Sequence, residues 1–205
     1  RLFILCNPHN PVGRVYSQPE LEKLAGICEA HDLTICSDEI HADFIYEGRR
    51  HLPIAALSPE IDRRTITLMS PAKSFNVAGI PFAFAVISDP GLRERYENAK
   101  MGLVPHPGVM GYTAALAAFR DGDEWLDSLV EYLQANRDFA ADFVRDQLAG
   151  VTMASLEGTY LAWLDCRKAG IDGSPYEFLL EKGRLATVDG ALFGPGGEGF
   201  VRLNL

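Results

Sequence analysis

An α/β fold, with a mostly parallel sheet followed by a smaller α+β domain, follows from three features of this 205-residue sequence. The apolar run Leu2–Cys6, a helix opening at Ser17 and a second strand-like run, Leu33–Cys36, fall within roughly thirty residues, the span of a βαβ unit. Two more runs, Thr65–Met69 and Phe82–Ile87, are β-branched, apolar and short, as buried strands are. Beyond a long amphipathic helix the pattern changes to short strands and turns. Residues 1–123 are therefore expected to form part of one domain. Residues 124–205 are expected to form a linking helix and part of a second.

The elements follow in order. Leu2–Cys6 breaks at Asn7-Pro8-His9-Asn10-Pro11-Val12-Gly13, where two Asn-Pro pairs impose a rigid reversal. Ser17 and Glu20 have capping-box spacing, and Leu21, Leu24, Ala25 and Cys28 supply the apolar face of the helix they open. The second strand runs into Ser37-Asp38-Glu39-Ile40-His41. The third, Thr65–Met69, runs into Ser70-Pro71-Ala72-Lys73-Ser74-Phe75-Asn76. Gly91–Ala99 predicts a charged surface helix and Tyr112–Phe119 an apolar one. Glu124–Leu148 predicts the long amphipathic helix. Val151–Leu156 and Thr159–Leu164 predict an antiparallel pair turning at Glu157-Gly158. A short helix over Pro175–Lys182 and a strand carrying Arg202 close the chain.

Composition excludes several classes. Apolar residues make up 47% and charged residues 23%, as in ordinary globular proteins. The net charge is −9, with no basic run, which argues against nucleic acid or an anionic membrane as partner. The longest uncharged run, Met101–Phe119, carries Pro105, His106, Pro107 and three glycines and makes a poor membrane span. Cys6, Cys28, Cys36 and Cys166 have neither CxxC nor metal-ligand spacing, so no metal site is expected. Reduced cysteines in apolar runs suit the cytoplasm. The chain opens on Arg1 within a strand and ends on strand-like Val201–Leu205, so a piece of a longer protein is expected.

In parallel sheets ligands bind at the carboxyl ends of strands. Asn10, Asp38 and Lys73 each follow a strand and are expected on one edge. A lysine at the end of a buried strand is costly unless its amine has a task, and desolvated lysines are the usual amine nucleophiles. Ser70 and Ser74 offer hydroxyls for an anion on either side. Each feature has a plainer alternative. Lys73 alone reads more readily as a solvated loop residue, Asp38 and Glu39 equally as a solvated turn, and His41 more readily as a structural histidine. Two motif matches are discounted. Gly194–Gly199 fits G-x-G-x-x-G but precedes a strand, and Pro195 removes a donor. Ser70-x-x-Lys73 lacks the partner motifs of acyl-serine enzymes.

Taken together, Asn7–Gly13, Ser37–Asp43, Ser70–Gly79 and Phe200–Asn204 resemble, in order and spacing, the class I/II pyridoxal-phosphate aminotransferases of fold type I. The resemblance covers essentially the whole chain. Asp38–Asp43, with His rather than Tyr at 41, is most similar to the MalY/PatB-type cystathionine or C–S β-lyase branch. The resemblance implies pyridoxal 5'-phosphate as cofactor, with Lys73 as its covalent attachment and catalytic base. It implies Asp38 on the pyridine nitrogen, Asn10 and His41 on the phenolic oxygen, Ser70 on the phosphate and Arg202 on the substrate carboxylate.

The implied activity is β-elimination from a small amino acid to thiol, pyruvate and ammonia by a homodimeric parent. Aminotransfer, and a regulatory partner-binding role, are the alternatives. Pro81 departs from the family pattern, which often has a polar phosphate contact there. The family's N-terminal half is absent, so these residues alone are expected to be inactive.

Overall fold

Leu2–Cys6 (β1), Thr34–Asp38 (β2), Thr65–Met69 (β3) and Phe84–Val86 (β4) form a four-stranded sheet in that order. The computed structural model describes residues 1–46 and 48–205. β1 and β2 pair in parallel, as do β2 and β3, with Asp38 opposite both Cys6 and Leu68. β4 is antiparallel to β3. The expected parallel edge is thus present, with one antiparallel strand beside it.

Helix α1 (Gln18–Ala30) covers one face. Its start is held by Ser17, whose backbone N and Oγ both donate to Glu20 Oε2, at 2.9 and 2.7 Å. Leu21, Ala25 and Cys28 recur at helical spacing and pack with Leu5, Ile35, Ile54 and Ile61. Ile61 belongs to α2 (Pro59–Arg63), which the sequence reading did not anticipate. Its five residues are too few to show a periodicity, although Ser58 caps it through the Ile61 N–H. A second cluster, Ile66, Ile87 and Leu92, joins the sheet to α4 (Pro90–Lys100). One-turn α3 (Pro71–Ser74) lies between β3 and β4, and α5 (Val109–Asp121) follows α4.

The chain divides into two units. The first comprises residues 1–8, 15–43 and 50–127. The second comprises residues 9–14, 44–49 and 128–205, so two short excursions from the first half join the C-terminal unit. Helix α6 (Asp123–Gln147) leads into the second unit. There β5 (Thr152–Met153), β6 (Leu161–Asp165), β8 (Phe200–Asn204) and β7 (Val188–Asp189) form an antiparallel sheet in the order β5-β6-β8-β7. Val144, Ala162, Leu164, Cys166 and Val201 form its core, with α7 (Pro175–Glu181) contributing Tyr176 and Leu179.

The predicted hairpin at Glu157-Gly158 is corrected. β5 and β6 do pair, Thr152 opposite Asp165, but residues 154–160 are a broad loop. Their donors go elsewhere. Glu157 and Gly158 N–H donate to Gly13 O at 2.9 and 3.0 Å, and Thr159 N–H donates to Phe44 O. Gly13 has φ +77, and a Cβ there would lie 2.1 Å from Leu156 Cδ1, so this junction requires glycine.

Candidate functional site

Asp38 is the last residue of β2 and is held on both sides. Its carbonyl accepts from Asn7 N, and the following amide, Glu39 N, donates to Leu68 O. Its Oδ1 accepts the Ile40 N–H at 3.2 Å. The side chain is half-buried. Glu39, the next residue, is not the solvated turn carboxylate allowed by the sequence. It is buried, accepting from Ser37 Oγ at 2.8 Å and lying 2.7 Å from His51 Nε2. Alternation along the strand sends these adjacent carboxylates to different environments. Glu39 is committed to an internal network, while Asp38 lies at the strand's end. His41 is buried in the turn that follows.

Lys73 sits on α3, four residues beyond β3, and is half-buried rather than fully enclosed. The serines around it differ from expectation. Ser70 caps α3, accepting from Ala72 N at 3.1 Å, and donates to Phe82 O at 2.6 Å. Ser74 is fully buried and donates to Asp43 Oδ2 at 2.5 Å. A hydroxyl has one proton. Both serines direct theirs to protein acceptors here. Pro81 is exposed and has no N–H to offer.

Asn10 and Arg202 belong to the second unit. Arg202 Nη1 donates to Asn10 Oδ1 at 2.8 Å across 192 positions of sequence. Arginine is donor-only, so Asn10's oxygen faces it and its amide NH2 remains a donor. Arg202 lies on β8 opposite Trp163, its guanidinium 4.9 Å from the Phe193 ring centre. Phe193 meets Trp163 edge-on, Trp163 stacks on Phe200, and Arg167 lies over Phe200 at 4.6 Å. Arg202 Nε is buried and has no partner among the described residues. Burial pushes the nearby Tyr160 phenol up, with the Arg202 charge opposing.

Three participants were not singled out from sequence. Asn7 is buried, its Oδ1 accepting from Tyr16 N while its Nδ2 has no partner among the described residues. Its position at the end of β1 was the available signal. Asp43 was quoted only as part of a longer run. Phe193 carried no signal, because its partner is set by a turn (residues 190–193) and a strand that pair only in the fold. Among the described residues no group of three or more His, Cys, Asp or Glu is placed to hold a metal. No helix among them is long and apolar enough to cross a membrane.

Comparison with known proteins gives a consistent result. The family model for aminotransferase class I and II matches residues 1–205. Cystathionine beta-lyase PatB of Bacillus subtilis is 39% identical over 209 residues, which cover 99% of this chain and 53% of PatB. The crystal structure of OvoB superimposes with a TM-score of 0.94 at 45% identity, covering 100% of this chain and 53% of that one. The PLP-bound C–S lyase of Staphylococcus hominis superimposes with a TM-score of 0.90 at 33% identity, covering 100% of this chain and 52% of that one. The chain spans about half the length of the relatives it matches.

Proposed function

Because the chain belongs to the class I and II aminotransferase family, we propose that it is the lysine-bearing part of a pyridoxal-phosphate-dependent carbon–sulfur β-lyase acting on small amino acids. In this reading residues 1–123 belong to its cofactor-binding domain, and residues 124–205 are its linking helix and part of its small domain. The observation that carries it is the placement of Asp38 at, and Lys73 four residues past, the carboxyl ends of adjacent parallel strands. The lyases PatB and that of Staphylococcus hominis support the same reading through their likeness to the whole chain.

The residues fit the group. Lys73 brings a primary amine for an aldehyde, and Asp38 a half-buried carboxylate for a protonated ring nitrogen. Asn10 keeps its NH2 as a donor for a phenolic oxygen, because Arg202 takes its carbonyl. His41 would contact the same oxygen. Ser70 is assigned to the phosphate, which requires its hydroxyl to turn from Phe82 O. When bound, pyridoxal phosphate supplies an electron sink next to the substrate Cα.

Lys73 would hold the cofactor covalently, and its amine, once free, would remove the Cα proton at Nζ. Asp38 would pair with the protonated ring nitrogen. Arg202 orients the substrate carboxylate, its orphaned Nε being available for a two-point contact. Lys73, now protonated, returns a proton for the departing thiolate. For cystathionine the balance is cystathionine plus water giving homocysteine, pyruvate and ammonia.

The full-length protein should release pyruvate from L-cystathionine with no keto acid added. Strict dependence on a keto acceptor makes it an aminotransferase instead. Borohydride reduction and peptide mapping should place the pyridoxyl label on Lys73, and a label elsewhere removes the site assignment. The same reading makes the whole protein a cytoplasmic homodimer. Its four cysteines, in apolar surroundings, suit a reducing compartment, and sedimentation of the full-length protein tests the assembly.

A further inference from the structure

We propose that Asp43 and Ser74 form a clamp that sets where Lys73 sits relative to Asp38 and His41. Asp43 is then a positioning residue acting through Ser74. The proposal rests on the functional reading above.

The hydrogen-bonded ladder between β2 and β3 continues only as far as Glu39 N to Leu68 O. At and past this point the two segments carry the chemistry, Asp38 and His41 on one and Lys73 on the other. Four residues past Glu39, and six past Leu68, Ser74 Oγ donates to Asp43 Oδ2 at 2.5 Å and joins them again. A hydroxyl donating to a carboxylate is a charge-assisted bond, among the stronger neutral-to-ion contacts. Ser74 is fully buried, so its hydroxyl loses water and needs this acceptor. Asp43 is exposed at the surface of the turn and has water as an alternative, yet its carboxylate is turned inward.

α3 needs such a tether. Four residues make a single turn, and a single turn does not hold itself in water. Ser70 secures its start. Phe75, just after its end, packs edge-on to Phe119 and stacks on Trp125, and Asn76 leaves the helix in the left-handed region at φ +53. These contacts tie α3 to its own neighbours. The Ser74–Asp43 bond ties it to the turn after Asp38, and it starts on the residue next to Lys73. Small displacements of a reacting group carry large rate penalties.

The test uses the full-length protein with Ser74→Ala, Asp43→Ala, the double variant and Ser74→Thr. In the apoprotein, hydrogen exchange is read at the amides of Phe75 and Val77, which bond to Pro71 O and Ala72 O. Either alanine variant should speed that exchange by about tenfold. The double variant should be no worse than the worse single one, as for two halves of one contact. Ser74→Thr, which keeps the hydroxyl, should restore the parent behaviour.

With pyridoxal phosphate added, the pH midpoint of the absorbance of the lysine-bound cofactor should move in both alanine variants. Their kcat should fall by about tenfold with KM little changed. Exchange and absorbance titration equal to the parent's overturn the clamp. Faster exchange with unmoved titration and kcat overturns the positioning role and leaves a purely structural bond. A parent that takes no pyridoxal phosphate on Lys73 overturns the functional reading, and the clamp's purpose with it. A parent that loads normally beside unaffected variants overturns the clamp alone. Should Ser74→Ala fail to fold, Asp43→Ala, at an exposed residue, decides by the same readings.

Discussion

The edge bearing Asp38 and Lys73 and the sheet face bearing Arg202 place their charges by different means. At the first, backbone does the placing. Asp38 ends a strand whose carbonyl and following amide are both taken by neighbouring strands, and Lys73 rides a capped turn. At the second, side chains do it. Arg202 is held by Asn10, from a loop at the other end of the sequence, and by a run of ring contacts from Phe193 through Trp163 to Phe200. Backbone placement gives a fixed point from which a group can react. Side-chain placement gives a shaped, partly desolvated donor suited to binding. Changes at the edge should therefore act on turnover, and changes on the sheet face on affinity.

The sharpest break of that comparison is Lys73→Ala. On the proposed assignment it should lower kcat by about ten-thousand-fold, since both attachment and base would be lost, and borohydride should no longer label the protein. Asp38→Asn should keep the covalent label and lose about a hundred- to a thousand-fold in kcat, because an amide cannot balance a pyridinium charge. Turnover within a few-fold of the parent would count against that role. Arg202→Lys should weaken amino-acid binding by roughly 2–5 kcal/mol, mostly in KM, as a point charge cannot replace a planar fork. An unchanged KM would move the carboxylate contact elsewhere.

Two smaller effects refine the second region. Tyr46 is buried, and its OH donates to Thr159 O at 2.6 Å. Burial pushes its phenol up to about 12, with Arg137 opposing and Asp138 adding. The folded state thus keeps this proton where the unfolded chain, titrating near pH 10, has lost it. The stabilisation is whole below about pH 10 and disappears as the pH rises to about 12, amounting to about 2–3 kcal/mol. Denaturation of Tyr46→Phe across that range should show a flatter pH dependence than the parent; parallel curves would mean that another group governs alkaline unfolding. Phe193→Leu should raise KM by the equivalent of about 0.5–2 kcal/mol, the worth of one cation–ring contact, and leave kcat alone. A fall in kcat instead would show that the rings serve the chemistry as well as the fork.

Much of the first unit was legible because its signals are local. A buried strand needs only its own apolar run, a helix start needs Ser17 and Glu20 three residues apart, and a parallel sheet follows from strand, helix, strand. Asp38, His41 and Lys73 stand out for the same reason, each within a few residues of a strand end. The turns α2 and α3 were missed because four or five residues contain too little pattern. The hairpin at Glu157-Gly158 was misread because the donors that would have closed it go to Gly13 and Phe44, more than a hundred residues away.

By itself, then, the sequence determined which residues end the strands and therefore which chemistry the edge can carry. Only the tertiary structure decided how those groups are oriented. It sent Glu39 to His51 and left Asp38 at the edge. It turned both serine hydroxyls beside Lys73 onto protein acceptors, and it set Phe193 beneath Arg202. The physical reason is the range of the forces. Propensity and periodicity act over a few residues, whereas the acceptor that a buried hydroxyl or guanidinium must find is chosen by whatever the fold brings within about 3 Å of it.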